Sequence, residues 1–357
     1  SGKKVAIVAL DASAAFDVLD HDLVLESLAI MGAGETMLGW LRSYFSDRYS
    51  FVDIDGHQSD RWKIEVGAIQ GGLISPDLFS IGSVSQSWWN DYTDSAAFAD
   101  DEMEVVVAES AEECQRLAKR AAEDMSAWYD AVGLTLNKKK SEVISFGFNM
   151  EPIELGDDQL IPRTDIRFLG CVLQSNLRWD KQVDEITKKL RISASRIRRE
   201  GRNFNQKNRR ILYEAWCGGV LNNNAAAYLP HLNDEQKTKI QRAANSGVRA
   251  VVGLPRYGEF PLTKIREDIG VASVEEISNG ALMIEAWKRR EKLGNQARKG
   301  PVTRGQSSGN VIAPDQRGWA GKTTHTKATL MWNDLPQDVR SEDDAKKARR
   351  KIKTLRK

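Results

Sequence analysis

Apolar residues along the chain change period several times, and each change predicts a different element. Val5-Ala6-Ile7-Val8-Ala9-Leu10 is a continuous apolar run ended by Asp11, which predicts a buried strand over 5–11. Helical spacing follows over 21–31 and 35–46, with Trp40, Leu41 and Tyr44 on one face of the second helix. Phe51 to Gly56 alternates and then turns, and Trp62 to Val66 is its predicted partner strand. Pro76 suits a first helical turn and predicts a helix over 75–89 whose face carries Leu78, Ile81 and Trp88. A second apolar run, Ala96-Ala97-Phe98-Ala99, meets Asp100 and Asp101 and returns through Val105-Val106-Val107, predicting a hairpin over 95–108.

Cys114, Leu117, Ala121, Met125 and Trp128 recur at helical spacing and predict a long amphipathic helix over 110–132. Ser110 is its expected N-cap, with Glu113 completing a capping box. A strand ending Val143-Ile144-Ser145-Phe146 and two short strands within 153–174 follow. From 180 onward the pattern is helical, over 180–200, 206–219, 233–252, 260–269 and 273–293, with Asn222-Asn223-Asn224 as an interruption. Residues 295–323 are rich in Gly, Ser, Thr, Arg and Gln, which predicts a linker or loop. Glu342 to Lys357 reads as a basic helix or tail. The expected fold is α+β, an antiparallel sheet with helices on one face followed by an all-helical region. The expected domains are 1–176, 177–294, the linker 295–323, and 324–357.

Composition adds little until it is resolved along the chain. The 357 residues are long enough for two or three subdomains. A hydrophobic content of 41% with 29% charged residues fits a folded globular protein, not a disordered one. No apolar run reaches the length of a membrane span, and no signal peptide is visible, so no membrane partner is expected. Three scattered cysteines, Cys114, Cys171 and Cys217, predict a reducing compartment and no disulfide framework. Four histidines show no metal-binding spacing.

The net charge of +2 does not single out a nucleic-acid binder, but its distribution does. Between 188 and 210 stand Lys188, Lys189, Arg191, Arg196, Arg198, Arg199, Arg202, Lys207, Arg209 and Arg210, against a single acid, Glu200. Such a face suits a phosphate backbone; an ordinary solvated helix is the alternative.

Asp11 and the pair Asp100–Asp101 carry the candidate chemistry. Two strand ends about 90 residues apart converge if their strands are neighbours in one sheet. Three convergent carboxylates form an oxygen donor set for divalent ions. A pair of ions roughly 3.5–4 Å apart activates a hydroxyl and stabilises a leaving phosphate. Taken singly, each aspartate is equally a turn residue or a helix cap.

The order of these segments adds a family resemblance. Ala9 to His21 resembles motif A of the non-LTR retrotransposon (LINE-type) reverse transcriptases. Gly67-Ala68-Ile69-Gln70-Gly71-Gly72-Leu73-Ile74-Ser75-Pro76-Asp77-Leu78-Phe79 resembles motif B, and Phe98-Ala99-Asp100-Asp101 the YADD box of motif C. Leu134 to Glu142 is similar to motif D, and Phe168-Leu169-Gly170 to motif E. Leu177 through Trp216 resembles the thumb, and Trp332-Asn333-Asp334-Leu335-Pro336 a carboxy-terminal WNxLP box. The resemblance implies a palm sheet, a helical thumb and RNA-directed DNA polymerase chemistry with Mg²⁺ or Mn²⁺. It assigns the metals to Asp11, Asp100 and Asp101 with the carbonyl of Ala12, and the proton for the leaving pyrophosphate to Lys140. Phe16 becomes the steric gate against a ribose 2′-hydroxyl, with a core aromatic as the alternative; Gln70, Gly71 and Gly72 line the nucleotide pocket.

Several positions depart from the family pattern. The chain opens at motif A, where fingers normally precede it, so the fingers are expected from another polypeptide or from the rest of a longer one. Ile69 stands in place of proline, Asp77 in place of an apolar residue, and Glu102 follows the aspartate pair, where extra negative charge is expected to oppose substrate approach. The resemblance implies an RNA template and DNA primer as partners and a nuclear or cytoplasmic, or organellar, location inside the cell. The alternative is a catalytically inactive scaffold subunit that binds a structural RNA, with a protein partner covering the exposed palm surface.

Overall fold

The computed structural model describes residues 2–69, 71–85, 92–289 and 324–355, which form two compact units, 1–178 and 179–357. Gln70, Trp88 and the expected linker 295–323 lie outside the described residues.

The first unit is built on β1 (Lys4–Ser13). It continues through α1 (His21–Ile30), α2 (Glu35–Phe45), β2 (Tyr49–Ser50), β3 (Asp53–Ile54), β4 (His57–Gln58), β5 (Trp62–Lys63) and α3 (Ser75–Gly82). Then come β6 (Asp94–Phe98), β7 (Asp101–Ala108), α4 (Ala111–Ala131), β8 (Thr135–Leu136) and β9 (Glu142–Phe146). Two hairpins close it, β10 (Ile153–Leu155) with β11 (Asp158–Leu160), and β12 (Asp165–Phe168) with β13 (Cys171–Gln174).

The main sheet is antiparallel, in the order β6-β7-β1, with β9 and β8 pairing successive stretches of β1 on its other side. Alternation along β1 sorts its side chains. Ala6, Val8, Leu10 and Ala12 enter a core with Cys114, Ala118, Ala121 and Met125 of α4. Ile7 lies on the opposite face with Ile144 and Ile166, so the β12–β13 hairpin covers part of that face. Burying an aliphatic side chain of this kind contributes roughly 1.5–3 kcal/mol.

Several expectations need correction. The predicted strand pair 51–56 and 62–66 is two nested two-residue ladders, β2 with β5 and β3 with β4. Their side chains are largely exposed, so no buried face fixes a longer register. The hairpin turn is Ala99–Asp100, and Asp101 is already the first residue of β7. The capping box at α4 is half formed: Ser110 accepts from the Glu113 amide at 3.1 Å, while the Glu113 carboxylate pairs with Arg116. Of the predicted helix over 75–89, Ser75–Gly82 is helical and Ser83 caps it, while 86–89 lie outside the described residues.

The second unit is helical. It contains α5 (Asp180–Glu200), α6 (Gln206–Tyr213), a π-turn at Glu214–Gly218, α7 (Gly219–Asn222), α8 (Ala225–Tyr228) and a 3₁₀ turn at Leu229–His231. Asn224 is left-handed at φ 52°, which accounts for the interruption expected there. After it come α9 (Asp234–Val252), α10 (Leu262–Ile269) and α11 (Val274–Lys288). Full capping boxes open α9 (Asn233 with Gln236) and α11 (Ser273 with Glu276). The last elements are α12 (Thr324–Asp334), α13 (Gln337–Arg340) and α14 (Ala345–Leu355). Trp332 and Leu335 of the WNxLP box pack with Trp287, Val339 and Ile352, and Arg340 donates to the carbonyls of Asn333 and Leu335.

Candidate functional site

Asp11 and Asp101 are Cα partners across the β1–β7 ladder, and Asp100 occupies the turn beside them. Even-numbered residues of β1 point into the α4 core, so Asp11 points to the opposite face, and Asp101 shares that face by register. Two like charges directly opposite on one sheet face are destabilising in themselves. Ala99, just before Asp100, holds φ at 55°, a left-handed conformation that alanine adopts at a cost of about 1–3 kcal/mol. The hairpin thus presents Asp100 through a strained turn.

Burial raises the Asp101 carboxyl above the usual range, and the charges of Asp100 and Asp11 raise it further. Lys140 opposes them. Its ammonium lies 3.4 Å from Asp11 Oδ2, although the lysine is largely exposed. Asp11 Oδ2 is buried and accepts no hydrogen bond. The Asp11 backbone is fixed by the loop before β9: the Asn137 amide donates to its carbonyl at 2.7 Å, and its own amide donates to Ser141 Oγ at 3.3 Å. Motif D is therefore joined to motif A through Asn137 and Ser141 as well as Lys140. Neither Asn137 nor Ser141 was singled out from sequence, though both lie in the quoted motif.

Hard oxygen donors, mutual repulsion and a buried unsatisfied Oδ2 fit a divalent cation. Among the described residues, no group of three or more His, Cys, Asp or Glu is already arranged to hold one.

Glu102 corrects the expectation of extra charge beside these aspartates. It lies on the other face of β7, is 3% exposed, and accepts from Tyr129 Oη at 3.1 Å. Burial first, then the nearby charge of Glu104, pushes its carboxyl up to about 8. At neutral pH it is mostly protonated and adds little negative charge. Glu104 is fully buried beneath it and accepts from Ser95 at 2.9 Å and from Thr93.

Phe16 stacks on Phe79 of α3, with ring centroids 4.8 Å apart. It is half-buried, so its core role is visible and one edge remains available. Gly71 has φ +78° with open space where a Cβ would stand. At Gly72 a Cβ would come within 2.6 Å of Ser75 Oγ, so local turn packing explains this glycine. Asp77 is exposed in the first turn of α3, where the helix dipole favours a carboxylate.

Gly67, which opens motif B, is held against motif A. Its amide donates to Leu19 O at 2.7 Å, and the Ala68 amide to Phe16 O at 2.7 Å. Its carbonyl accepts from Arg48 Nη1 at 3.1 Å and lies 2.9 Å from His21 Nε2. These contacts position Phe16, and sequence reading assigned no role to His21 or Arg48; no spacing signal marks either.

The basic block divides between two uses. Lys188, Lys189, Arg191, Arg196, Arg199, Arg202, Lys207 and Arg210 are exposed, although Arg210 also donates to Gly270 O at 3.2 Å and Arg196 lies over the Trp216 ring at 5.8 Å. Arg198 and Arg209 are half-buried; Arg198 donates to Leu254 O at 2.8 Å. The structure does not bring this block together as one uniform face.

Residues 1–173 match the family described as reverse transcriptase (RNA-dependent DNA polymerase). Over those residues the chain is similar to reverse transcriptases. A relative, "Retrovirus-related Pol polyprotein from type-1 retrotransposable element R2" of Popillia japonica, is 31% identical over 22% of this chain and 13% of its own length. Another, from the type-2 retrotransposable element R2DM of Drosophila melanogaster, is 29% identical over 38% of this chain and 13% of its own. Both relatives are retrotransposon Pol polyproteins, and the chain's matched segments span only a small part of their length. Among solved structures, apo telomerase from Candida tropicalis is similar at 12% identity and a TM-score of 0.39, covering 92% of this chain and 47% of that one. Telomerase from Candida albicans with a fragment of telomeric RNA is similar at 12% identity and a TM-score of 0.37, covering 75% and 51%. Among the described residues no helix is long and apolar enough to cross a membrane.

Proposed function

We propose that this chain carries out RNA-directed DNA synthesis, transferring a deoxynucleotide to a primer 3′-hydroxyl on an RNA template. The observation that supports it most is the register pairing of Asp11 with Asp101, with Asp100 in the adjoining turn, inside the segment that matches the reverse-transcriptase family. Asp11, Asp100, Asp101 and the Ala12 carbonyl would hold Mg²⁺ or Mn²⁺. Bound there, the ions would neutralise charge on the reacting phosphate and lower the pKa of the attacking hydroxyl. Positioning and charge neutralisation account for most of phosphoryl-transfer catalysis.

The chain's own side chains supply the rest. Lys140, an exposed ammonium beside Asp11, is suited to donate a proton to the departing pyrophosphate. Phe16, backed by Phe79 and held by the Gly67 contacts, is a rigid edge for excluding a 2′-hydroxyl. Gly71 leaves open backbone for a close approach to the nucleotide. The exposed members of the basic block would follow the phosphates of template and primer.

Primer extension on poly(rA)/oligo(dT) with Mg²⁺ or Mn²⁺ tests this reading. Wild type is expected to incorporate dTTP, and Asp100→Ala to fall at least about 100-fold. Equal background incorporation by both proteins overturns it.

A further inference from the structure

The peptide unit that joins Gly67 to Ala68 is held from both sides, and the two sides lead to different parts of the fold. Its N–H, on Ala68, donates to the Phe16 carbonyl at 2.7 Å. Its C=O, on Gly67, lies 2.9 Å from His21 Nε2 and accepts from Arg48 Nη1 at 3.1 Å. A carbonyl only accepts, so the histidine tautomer that fits carries its hydrogen on Nε2. Both lone pairs of the oxygen are then used. A peptide unit is a rigid plane, so whatever fixes the oxygen also fixes the N–H that holds Phe16.

This plane needs fixing more than most. Gly67 has φ +87°, and a glycine lets the peptide on its carboxyl side turn over at little cost. Such a turn would carry the Ala68 N–H away from Phe16. The segment that it holds is tightly wound: Ala14 is left-handed at φ 51°, and the Asp17 amide donates to Ala14 O at 2.8 Å. Two donors on one oxygen hold the plane against rotation. By polarising the amide they also strengthen its bond to Phe16.

Aromatic contacts aim both donors. His21 stacks on the buried Phe45 of α2, with ring centroids 4.0 Å apart and planes 9° from parallel. Arg48 lies over the Tyr44 ring, 6.0 Å from its centroid, and Tyr44 meets Phe45 edge-on at 5.5 Å. His21 is also set by its place as the first residue of α1, whose cap Asp20 accepts from the Asp22 and Leu23 amides at 2.7 and 3.2 Å. Phe16 itself is braced by Phe79 at 4.8 Å, so the position of its backbone decides where its free edge stands.

We infer that His21 and Arg48 are positioning residues for sugar selectivity: by holding the Gly67 carbonyl they set how far the Phe16 edge projects toward the sugar of a bound nucleotide. The role rests on the reading of Phe16 as the edge that excludes a 2′-hydroxyl, and it assigns to that edge the two side chains that hold it in place.

Incorporation of dATP and of ATP on poly(rU)/oligo(dA), with kcat and KM measured separately, tests it. His21→Leu and Arg48→Met are each expected to lower the dATP-over-ATP ratio of kcat/KM about 3- to 10-fold, the worth of one hydrogen bond, chiefly through a lower KM for ATP. Arg48→Lys, which keeps a donor, should restore most of the ratio. In a Phe16→Ala background, His21→Leu should change the ratio less than about 2-fold, because both changes act on one element. A merely structural role would lower both rates alike and leave the ratio at its wild-type value in either background. Amide hydrogen exchange, read by NMR, should be at least about 5-fold faster at Ala68 in both single variants. Arg48 is half-buried, so Arg48→Met decides the matter if His21→Leu does not fold. If Phe16→Ala shifts the ratio while both donor variants keep the wild-type value, the positioning role falls and the role of Phe16 stands. If Phe16→Ala leaves the ratio unchanged, both fall. Should wild type incorporate neither nucleotide, equilibrium binding of dATP and ATP to the protein with the same template–primer supplies the ratio; equal ratios for wild type and Arg48→Met would again overturn the positioning role.

Discussion

Asp11 and Asp101 stand opposite each other on adjacent antiparallel strands, two carboxylates on one face of the sheet. A sheet selected for stability alone would avoid this pairing. Lys140 offsets part of it from the loop before β9. The three residues form one electrostatic unit, and its members should respond to each other's removal.

Lys140→Met should therefore raise the Asp101 pKa further, and Asp11→Asn should bring it down. The Asp101 carboxyl already lies high through burial and the charges of Asp100 and Asp11, with Lys140 acting the other way. Carboxyl ¹³C titration by NMR measures both shifts. No movement in either variant would mean that the side chains point apart in solution.

Glu102 should make the protein less stable as pH rises. An unfolded glutamate ionises near 4.5, whereas Glu102 in the folded chain holds its proton to about 8. Between these values the unfolded state binds fewer protons than the folded one, so stability falls with rising pH and levels off above about 8. Glu102→Gln should remove that part of the slope and stabilise the protein at pH 9 by about 1–3 kcal/mol. Urea denaturation of both proteins at pH 5 and pH 9 checks it; parallel pH dependences would contradict it.

Gly67→Ala should be severe. The residue has φ +87°, and an added Cβ would come within 2.5 Å of Asp17 O. Left-handed strain and backbone overlap together are expected to cost about 3 kcal/mol. Thermal denaturation measures the loss. A change below about 0.5 kcal/mol would show that the junction between motifs A and B yields easily.

Phe16→Ala should separate the two roles of that ring. Losing the stack on Phe79 is expected to cost about 2 kcal/mol of stability, because the site is only partly buried. Incorporation of ribonucleotides relative to deoxynucleotides should rise at least about 10-fold. A stability loss with unchanged sugar selectivity would leave Phe16 as a core aromatic only.

Long periodic elements were legible in sequence, and short or exposed ones were not. The apolar run at Val5–Leu10 and the spacing from Cys114 to Trp128 each correspond to an element with a strongly buried face. Residues 49–63 gave no such constraint, and their ladders shrank to two residues each. The fate of Glu102 was unreadable because its environment depends on Tyr129, which arrives from a distant helix. The same holds for the clasp of His21 and Arg48 on Gly67. In the basic block, charge density was visible, but only tertiary structure separated Arg198, which is half-buried and holds the Leu254 carbonyl, from Arg202, which is exposed.

Cation binding at the paired strands tests the central claim most directly. Mn²⁺ titrated into the protein and followed by electron paramagnetic resonance should show saturable binding by wild type. Asp11→Asn and Asp101→Asn should each weaken it at least about 10-fold, and Arg202→Gln should leave it unchanged. Wild type binding no Mn²⁺, or binding it as tightly as both aspartate variants, would contradict the assignment of these carboxylates to a metal centre.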